Sequence, residues 1–274
     1  MATVPTAAAQ VPAAEATLRI LTFLAGQRGP VAAATIAAAI GAPRSTTYHL
    51  LAALDRHGFV LHLRESRRYG LGIAAFELSS GYSRQEPLTR LGVPVIAALA
   101  DRLGESAHLA ALHGRDVVYL VEERARHRRV LVTDVGVRLP AHLTASGRAM
   151  LAALPAAQLR ALYPDAAAFV TRNAAGPAGP AELRRLLATA AQDGFATEEG
   201  SVTAGLTSIA AAVLGPNDWP VASVAVTFET QGTADRSRIL QQVRRAAATL
   251  SRRVGGSIGD PPHRPPPAQG RATQ

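Results

Sequence analysis

No cysteine occurs in the 274-residue chain, which excludes a disulfide framework, a Cys-ligated zinc site and a thiol nucleophile. Lysine is absent as well: all 29 basic side chains are arginine, set against 20 acidic ones for a formal charge of +9. Aromatic residues make up 4% of the chain although 48% of it is apolar, so a core has to be built from Leu, Ile, Val and Ala. Long apolar runs are missing too. The longest uncharged stretch, Gly200 to Asn217, carries Thr, Ser, Gly and Pro and makes a poor membrane span. Met1 to Pro12 lacks the basic flank and continuous apolar segment of a secretory signal. These absences point to a cytoplasmic protein without a membrane partner. The basic excess points to an acidic partner, with nucleic acid the leading candidate.

The length suits two modest domains. Residues 1–12 and the tail 255–274, with Pro261, Pro262, Pro265, Pro266 and Pro267, have little to bury and are expected to be disordered. Between them, residues 14–57 read as three short helices. Leu18, Leu21 and Leu24 keep helical spacing in Ala14–Ala25; Ile36 and Ile40 do so in Ala32–Ile40. Gly41-Ala42-Pro43 then suits a left-handed helix end followed by a helix start. From about Pro87 the texture changes. Strand-like runs at Ala107–Leu112, Val117–Glu122, Val130–Val135, Ser208–Leu214 and Val221–Phe228 mix with helical patterns at Val93–Leu103, Gly147–Leu154, Ala156–Tyr163, Ala181–Asp193 and Asp235–Val254. An α+β fold with an antiparallel sheet flanked by helices is expected. The expected division is 13–72, a linker helix within 73–92, and 93–254.

The strongest feature runs from Ile36 to Leu71. Two short helices joined by a Gly-containing turn form a helix-turn-helix arrangement, whose second helix enters the DNA major groove. In that helix Thr47, Leu50, Leu51 and Leu54 make one apolar stripe. The opposite face presents Arg44, Ser45, Thr46, Tyr48 and His49, donors and small groups suited to base edges and phosphates. Gly58 to Leu63 alternates like a strand, and Arg64, Arg67 and Arg68 mark a hairpin that reads as a wing over phosphate or minor groove. Residues 1–70 hold seven Arg and three acids. Helices and a hairpin of this kind also serve protein contacts. The alternative is therefore a small-molecule-binding module or enzyme whose N-terminal helices dock a protein.

Several segments, in order, resemble one known family. Ala42-Pro43-Arg44-Ser45-Thr46-Thr47-Tyr48-His49-Leu50-Leu51-Ala52-Ala53-Leu54, Gly58-Phe59-Val60 and Tyr69-Gly70-Leu71-Gly72 resemble the N-terminal half of IclR-type transcriptional regulators. Leu139 to Ala152, Gly194 to Gly200, Gly205 to Ala211 and Val221 to Thr227 resemble that family's effector domain. The resemblance spans roughly residues 14–254. It implies a winged helix-turn-helix followed by a GAF-like domain that binds a small organic effector, often a carboxylate or aromatic acid, in a homodimer or homotetramer on double-stranded operator DNA. The helix around Ile73–Leu78 is then a candidate dimer contact. The resemblance would line the effector pocket with Leu143, Ala145, Ser146, Gly147, Glu198, Glu199, Ser208, Ala225 and Thr227. Three departures stand out. His49 replaces the usual Arg and lacks its forked donor geometry. Arg148 replaces a frequent Lys. Ala145 and Ala225 stand where some members carry Gly and Ser, which makes the pocket tighter and more apolar.

Enzyme chemistry finds little support. There is no Gly-x-Ser-x-Gly elbow around Ser146 and no phosphate-binding loop at Gly255–Gly259, which lacks the following Lys. The closest histidine pairs, His57/His62 and His108/His113, are five apart and miss the helical metal spacing. No catalytic residue, metal or cofactor is expected. The pairs Glu122-Glu123 and Glu198-Glu199 read as solvated edges rather than acid/base dyads, and the run Arg124–Arg129 as a solvated loop.

Overall fold

The computed structural model describes residues 11–256 except 28, 79–86, 126–130 and 173–174. The chain divides into two compact units, Met1–Glu86 and Pro87–Gln274. The first contains α1 (Pro12–Ala25), β1 (Val31–Ala32), α2 (Ala33–Ile40), α3 (Arg44–Arg56), β2 (Val60–Leu63) and β3 (Arg68–Leu71). Residues 73–78 form a further helical segment, α4. The strands pair antiparallel in the order β1-β3-β2. Ile20, Leu24, Ile36, Ile40, Leu51, Leu54, Val60 and Tyr69 close a small core between the helices and the hairpin.

The second unit is a six-stranded antiparallel sheet in the order β6-β5-β4-β9-β8-β7. Its strands are β4 (Ser106–His113), β5 (Asp116–Glu123), β6 (Arg138–Pro140), β7 (Ala196–Glu199), β8 (Leu206–Leu214) and β9 (Pro220–Glu229). The helices are α5 (Pro87–Leu103), α6 (Ala145–Ala152), α7 (Ala156–Leu162), α8 (Pro180–Asp193) and α9 (Arg236–Arg253). Successive strand residues face opposite sides, and the two sides differ in kind. Leu109, Ile209, Val213, Val224 and Val226 join Ile96, Val243 and Leu250 in one large core under α5 and α9. On the other side, Ala210, Ala225 and Ala196 meet Ala145, Ala149 and Ala190, small residues that let α6 lie close to the strands. A Cβ on Gly147 would come within 2.2 Å of the Ala141 carbonyl oxygen, so that glycine is what allows the first turn of α6 to lie directly against the preceding segment.

The structure departs from the sequence expectations in five places. Residues 131–135 form no strand. A turn closed by the Val137 amide on the Asp134 carbonyl intervenes, and the sheet gains Arg138–Pro140 instead. Residue 130 lies outside the described residues. Pro87–Gly92, expected in the linker, are the first turns of α5, because Leu88 and Leu91 pack into the core of the second unit. Pro12 begins α1 rather than ending a tail, as proline suits a first helical turn. Gly255 and Gly256 cap α9, the Gly256 amide donating to the Ser251 carbonyl; the rest of the expected tails lies outside the described residues. Finally, α6 starts two residues earlier than its periodicity suggests.

A Cβ on Gly72 would sit 2.2 Å from the Gly58 carbonyl oxygen, a backbone atom with no rotamer to yield. Gly72→Ala is expected to destabilise the first unit by about 1–3 kcal/mol and leave the second unit unchanged. Denaturant unfolding followed by amide exchange checks this; two units unaltered in stability would contradict it.

Candidate functional site

The reading helix α3 is positioned by two helix ends built alike. At the end of α2, Gly41 adopts φ +65°, its amide donates to Ala38 O, and the Ala42 amide donates to Ala37 O. At the end of α3, Gly58 has φ +73°, with Gly58 N–H on Asp55 O and Phe59 N–H on Leu54 O. Both are Schellman closures, which need a residue free of Cβ strain in the left-handed region. Between them Thr47, Leu51 and Leu54 are buried, and the Thr47 hydroxyl turns back to Pro43 O at 3.0 Å. Leu50 is partly buried against the same core. With this face inward, Arg44, Ser45, Thr46, Tyr48 and His49 are all exposed. A single convex surface of donors results, led by the positive end of a helix.

The wing is tied to the same helix. Asp55 Oδ1 accepts from the His62 amide at 3.2 Å, and the His62 ring stacks on Tyr69 at 4.3 Å. Arg64, Arg67 and Arg68 are exposed at the hairpin. Arg67 takes φ +51° at the turn, and Arg68 spends one guanidinium donor on Pro30 O at 3.2 Å. All eight expected DNA contacts therefore reach solvent from the helix or the hairpin.

In the second unit a small cavity lies on the α6 side of the sheet. Its wall includes His108, Tyr119, Leu131, Thr133, Ala145, Ser146, Glu198, Ser208, Ala225 and Thr227. Its free volume is about 20 Å³, little more than the roughly 10–15 Å³ that one water needs. Strand register explains the grouping. Thr227 pairs with Ser106 on one side and Ser208 on the other, Ser208 pairs with Glu198, and His108 pairs with Ala225 in the adjacent row. The first-turn amides of Ala145 and Ser146 have no intrahelical acceptor, while the Gly147 amide is taken by Thr144 Oγ1 at 2.9 Å.

The electrostatics are unusual. Burial pushes the Glu198 carboxyl above its ordinary range; hydrogen bonds from the Ser208 hydroxyl and the Ser201 amide, and the charge of Arg148, draw it back. Arg148 is itself buried, with Nε on His142 O at 2.8 Å and a terminal nitrogen on Thr197 O at 2.9 Å. His108 is 1% exposed, and neither ring nitrogen has a protein hydrogen-bond partner. Its Nδ1 lies 4.0 Å from Glu122 Oε1. Burial, aided by nearby Arg124, lowers its pKa to about 4, so the ring is neutral at pH 7. Glu122, expected at a solvated edge, is buried instead and receives Arg124 Nε at 3.2 Å and the Thr133 hydroxyl at 3.1 Å. Arg124 also reaches Asp134 at 3.5 Å. It is exposed, as a solvated run implies, and also clasps the segment beside the cavity; residues 126–130 lie outside the described residues.

Of nine expected effector residues, Ala145, Ser146, Glu198, Ser208, Ala225 and Thr227 line the cavity. Leu143 is buried away from it. Gly147 packs on Ala141. Glu199 faces outward and pairs with Arg236 at 3.6 Å, since neighbours on a strand cannot share a face. The reading of Glu198 as a solvated edge fails on the same alternation. Sequence reasoning misses His108 and Tyr119. Their only signal is the small and polar spacing Ser106, His108, Ala110 on one face of β4. Among the described residues, no group of three or more His, Asp or Glu side chains could hold a metal. None of the described helices is long and apolar enough to cross a membrane.

Residues 81–252 match the C-terminal region of bacterial IclR transcriptional regulators, and residues 13–63 match the IclR helix-turn-helix domain. This chain belongs to the IclR family. The transcriptional repressor IclR of Escherichia coli is 26% identical over 229 residues, covering 83% of each chain. A glycerol operon regulatory protein of Streptomyces griseus is 30% identical over 242 residues, 86% of this chain and 93% of that one. These IclR relatives are regulators and repressors, not enzymes. The protein is accordingly a transcriptional regulator that binds DNA through its helix-turn-helix. A putative IclR regulator of a Silicibacter species superposes with TM-score 0.78 at 26% identity, over 90% of this chain and 98% of that chain. An IclR homolog of Microbacterium hydrocarbonoxydans, solved as a complex with 4-hydroxybenzoate, shares the fold with TM-score 0.76 at 21% identity, over 88% of this chain and 98% of that chain.

The buried imidazole makes acid stability a check on this geometry. The unfolded chain binds the His108 proton below about pH 6.5, whereas the folded chain binds it only below about 4. Stability is therefore complete above pH 6.5 and is lost as pH falls, approaching a cost of about 3 kcal/mol below pH 4. His142, whose pKa is also lowered by burial, adds a loss of the same sign. His108→Leu is expected to flatten the acid slope without abolishing it. An identical slope in variant and wild type would contradict the assignment.

Proposed function

We propose that the chain is a ligand-responsive regulator in which a small organic acid, bound in the cavity of the second unit, changes the affinity of paired reading helices for operator DNA. The observation that carries this reading is the cavity lined by Ala145 and Ser146, the first residues of α6, whose first-turn amides have no intrahelical acceptor. A helix start of this kind holds a carboxylate through amide donors and partial positive charge. The 4-hydroxybenzoate complex of the Microbacterium homolog supports an organic acid as the effector class.

On the DNA side, Arg44, Ser45, Thr46, Tyr48 and His49 read base edges and nearby phosphates, each good base contact contributing about 1–3 kcal/mol. Arg64, Arg67 and Arg68 supply affinity through counterion release. Two copies related by a two-fold axis would place their reading helices on half-sites about 34 Å apart, with the exposed Ile73 and Phe76 of α4 as contacts between copies. Such a protein works where the chromosome is, in the cytoplasm. Effector coupling of about 1–3 kcal/mol changes operator affinity roughly 5–150-fold, enough for a switch.

Two substitutions separate the DNA roles. Arg67→Ala is expected to weaken specific and random DNA alike and to lower the salt slope by about one unit. His49→Ala is expected to relax sequence preference while keeping that slope. Binding titrations at several salt concentrations, with a footprint over the protein's own upstream region, check both. A normal footprint and mismatch profile for His49→Ala would remove it from the reading set, and an unaltered salt slope for Arg67→Ala would remove the wing. In the second unit, Ser208→Leu fills the cavity and is expected to abolish the response to acids with DNA binding intact; an undiminished response would refute the cavity as the effector site.

A further inference from the structure

The cavity wall has an ordered polarity. With Glu198 ionised, its Oε1 accepts from the Ser208 hydroxyl at 3.1 Å. Ser208 has then spent its only proton, so at the 3.0 Å contact between the two hydroxyls Thr227 must be the donor. The relay leaves Thr227 Oγ1 with lone pairs and no proton, facing the cavity. His108 stands in the adjacent row of the sheet, neutral, fully enclosed, and without a protein partner on either nitrogen. A buried imidazole left unpaired is costly; Glu122 Oε1 stands beyond hydrogen-bond distance at 4.0 Å from Nδ1, and a polar group within the cavity, which His108 lines, can supply a partner. At the α6 end the unpaired groups are donors; at the Thr227 and His108 end at least one acceptor is open.

We propose, building on the organic-acid reading of this cavity, that it selects a short aliphatic hydroxy acid. The carboxylate lies on the Ala145 and Ser146 amides, and the hydroxyl donates its proton to Thr227 while accepting from the N–H of the neutral His108 ring. A matching oxo acid has no proton to give Thr227, and an unsubstituted acid leaves both Thr227 and His108 unpaired. Sites built around a substrate hydroxyl reject analogues that lack it far more strongly than apolar pockets reject an extra methylene. The free volume of about 20 Å³ sets the size. A cavity that takes up benzene is of order 150 Å³, and this one holds little more than one water, so every acid has to displace part of the wall and a two- or three-carbon acid displaces least. Ala145 and Ala225 keep the space tight without adding a competing polar atom.

The test is calorimetric titration of the full-length protein with glycolate, lactate, glycerate, pyruvate, propionate and benzoate, repeated on His108→Leu and Thr227→Val. At least one hydroxy acid is expected to bind about tenfold or more tighter than pyruvate, propionate and benzoate. Each variant is expected to shrink that preference to about threefold or less while still binding propionate. His108→Leu, which removes an unpaired buried polar group, is expected to melt at or above the wild-type temperature in the absence of acid. A purely structural imidazole would instead give a lower melting temperature with the hydroxyl preference intact, and that result overturns the proposal. Wild-type protein that takes pyruvate, propionate or benzoate as tightly as every hydroxy acid also overturns it, while leaving the organic-acid reading in place. Binding of none of the six, together with an operator affinity that none of them alters, overturns the organic-acid reading itself.

Discussion

Everything in the second unit depends on the two unlike faces of one sheet. On one face Val, Leu and Ile side chains are sealed by α5 and α9 and carry the stability. On the other, alanines and hydroxyl residues lie beneath α6. Because side chains alternate along each strand, these two populations can share the same strands. A bulge in the β4–β5 pairing at Leu109/Ala110 switches β5 from one face to the other between Tyr119 and Val121. The α6 face is the expensive one. It buries a carboxylate, an imidazole and an arginine, and each is tolerated only through specific partners or, for His108, by staying neutral. Interiors that accept such cost usually do so at functional positions.

The helix-turn-helix unit solves a different problem. A short helix has to expose polar residues on one face while its other face is held rigidly. The buried stripe of Thr47, Leu51 and Leu54 does the holding, and the two Schellman closures at Gly41 and Gly58 fix where the helix starts and stops. The hydrogen bond from the His62 amide to Asp55 and the stacked His62–Tyr69 pair carry that rigidity into the wing. The exposed face of α3 and the arginine-bearing hairpin are therefore parts of one frame.

Legibility in the sequence tracks the range of the interactions involved. The first unit is almost wholly readable, since its determinants are local: a leucine stripe at helical spacing, a Gly-Ala-Pro break, an arginine-marked hairpin. The cavity of the second unit is readable only in part. Ser208, Ala225 and Thr227 sit on strands whose alternation shows in a single segment. Which residues from other strands stand beside them depends on register across β4, β8 and β9, and no one segment carries that information. His108 and Tyr119 escape a reading of the sequence for this reason. Leu143, Gly147 and Glu199 fail for the opposite one: proximity in sequence to true lining residues says nothing about the direction of a side chain. Glu122 shows the same limit, being buried beside an outward neighbour in a pair that composition reads as solvated.

Regulation by a bound acid requires coupling between the cavity and the reading helices. Linkage demands that if an acid changes operator affinity by some factor, operator DNA changes the acid's affinity by the same factor. The decisive measurement is acid binding by the protein alone and by its operator complex, set beside operator binding with and without saturating acid. Equal factors, of about 5 to 150, are predicted. An acid that binds the protein and its operator complex with one and the same affinity would contradict the ligand-responsive mechanism.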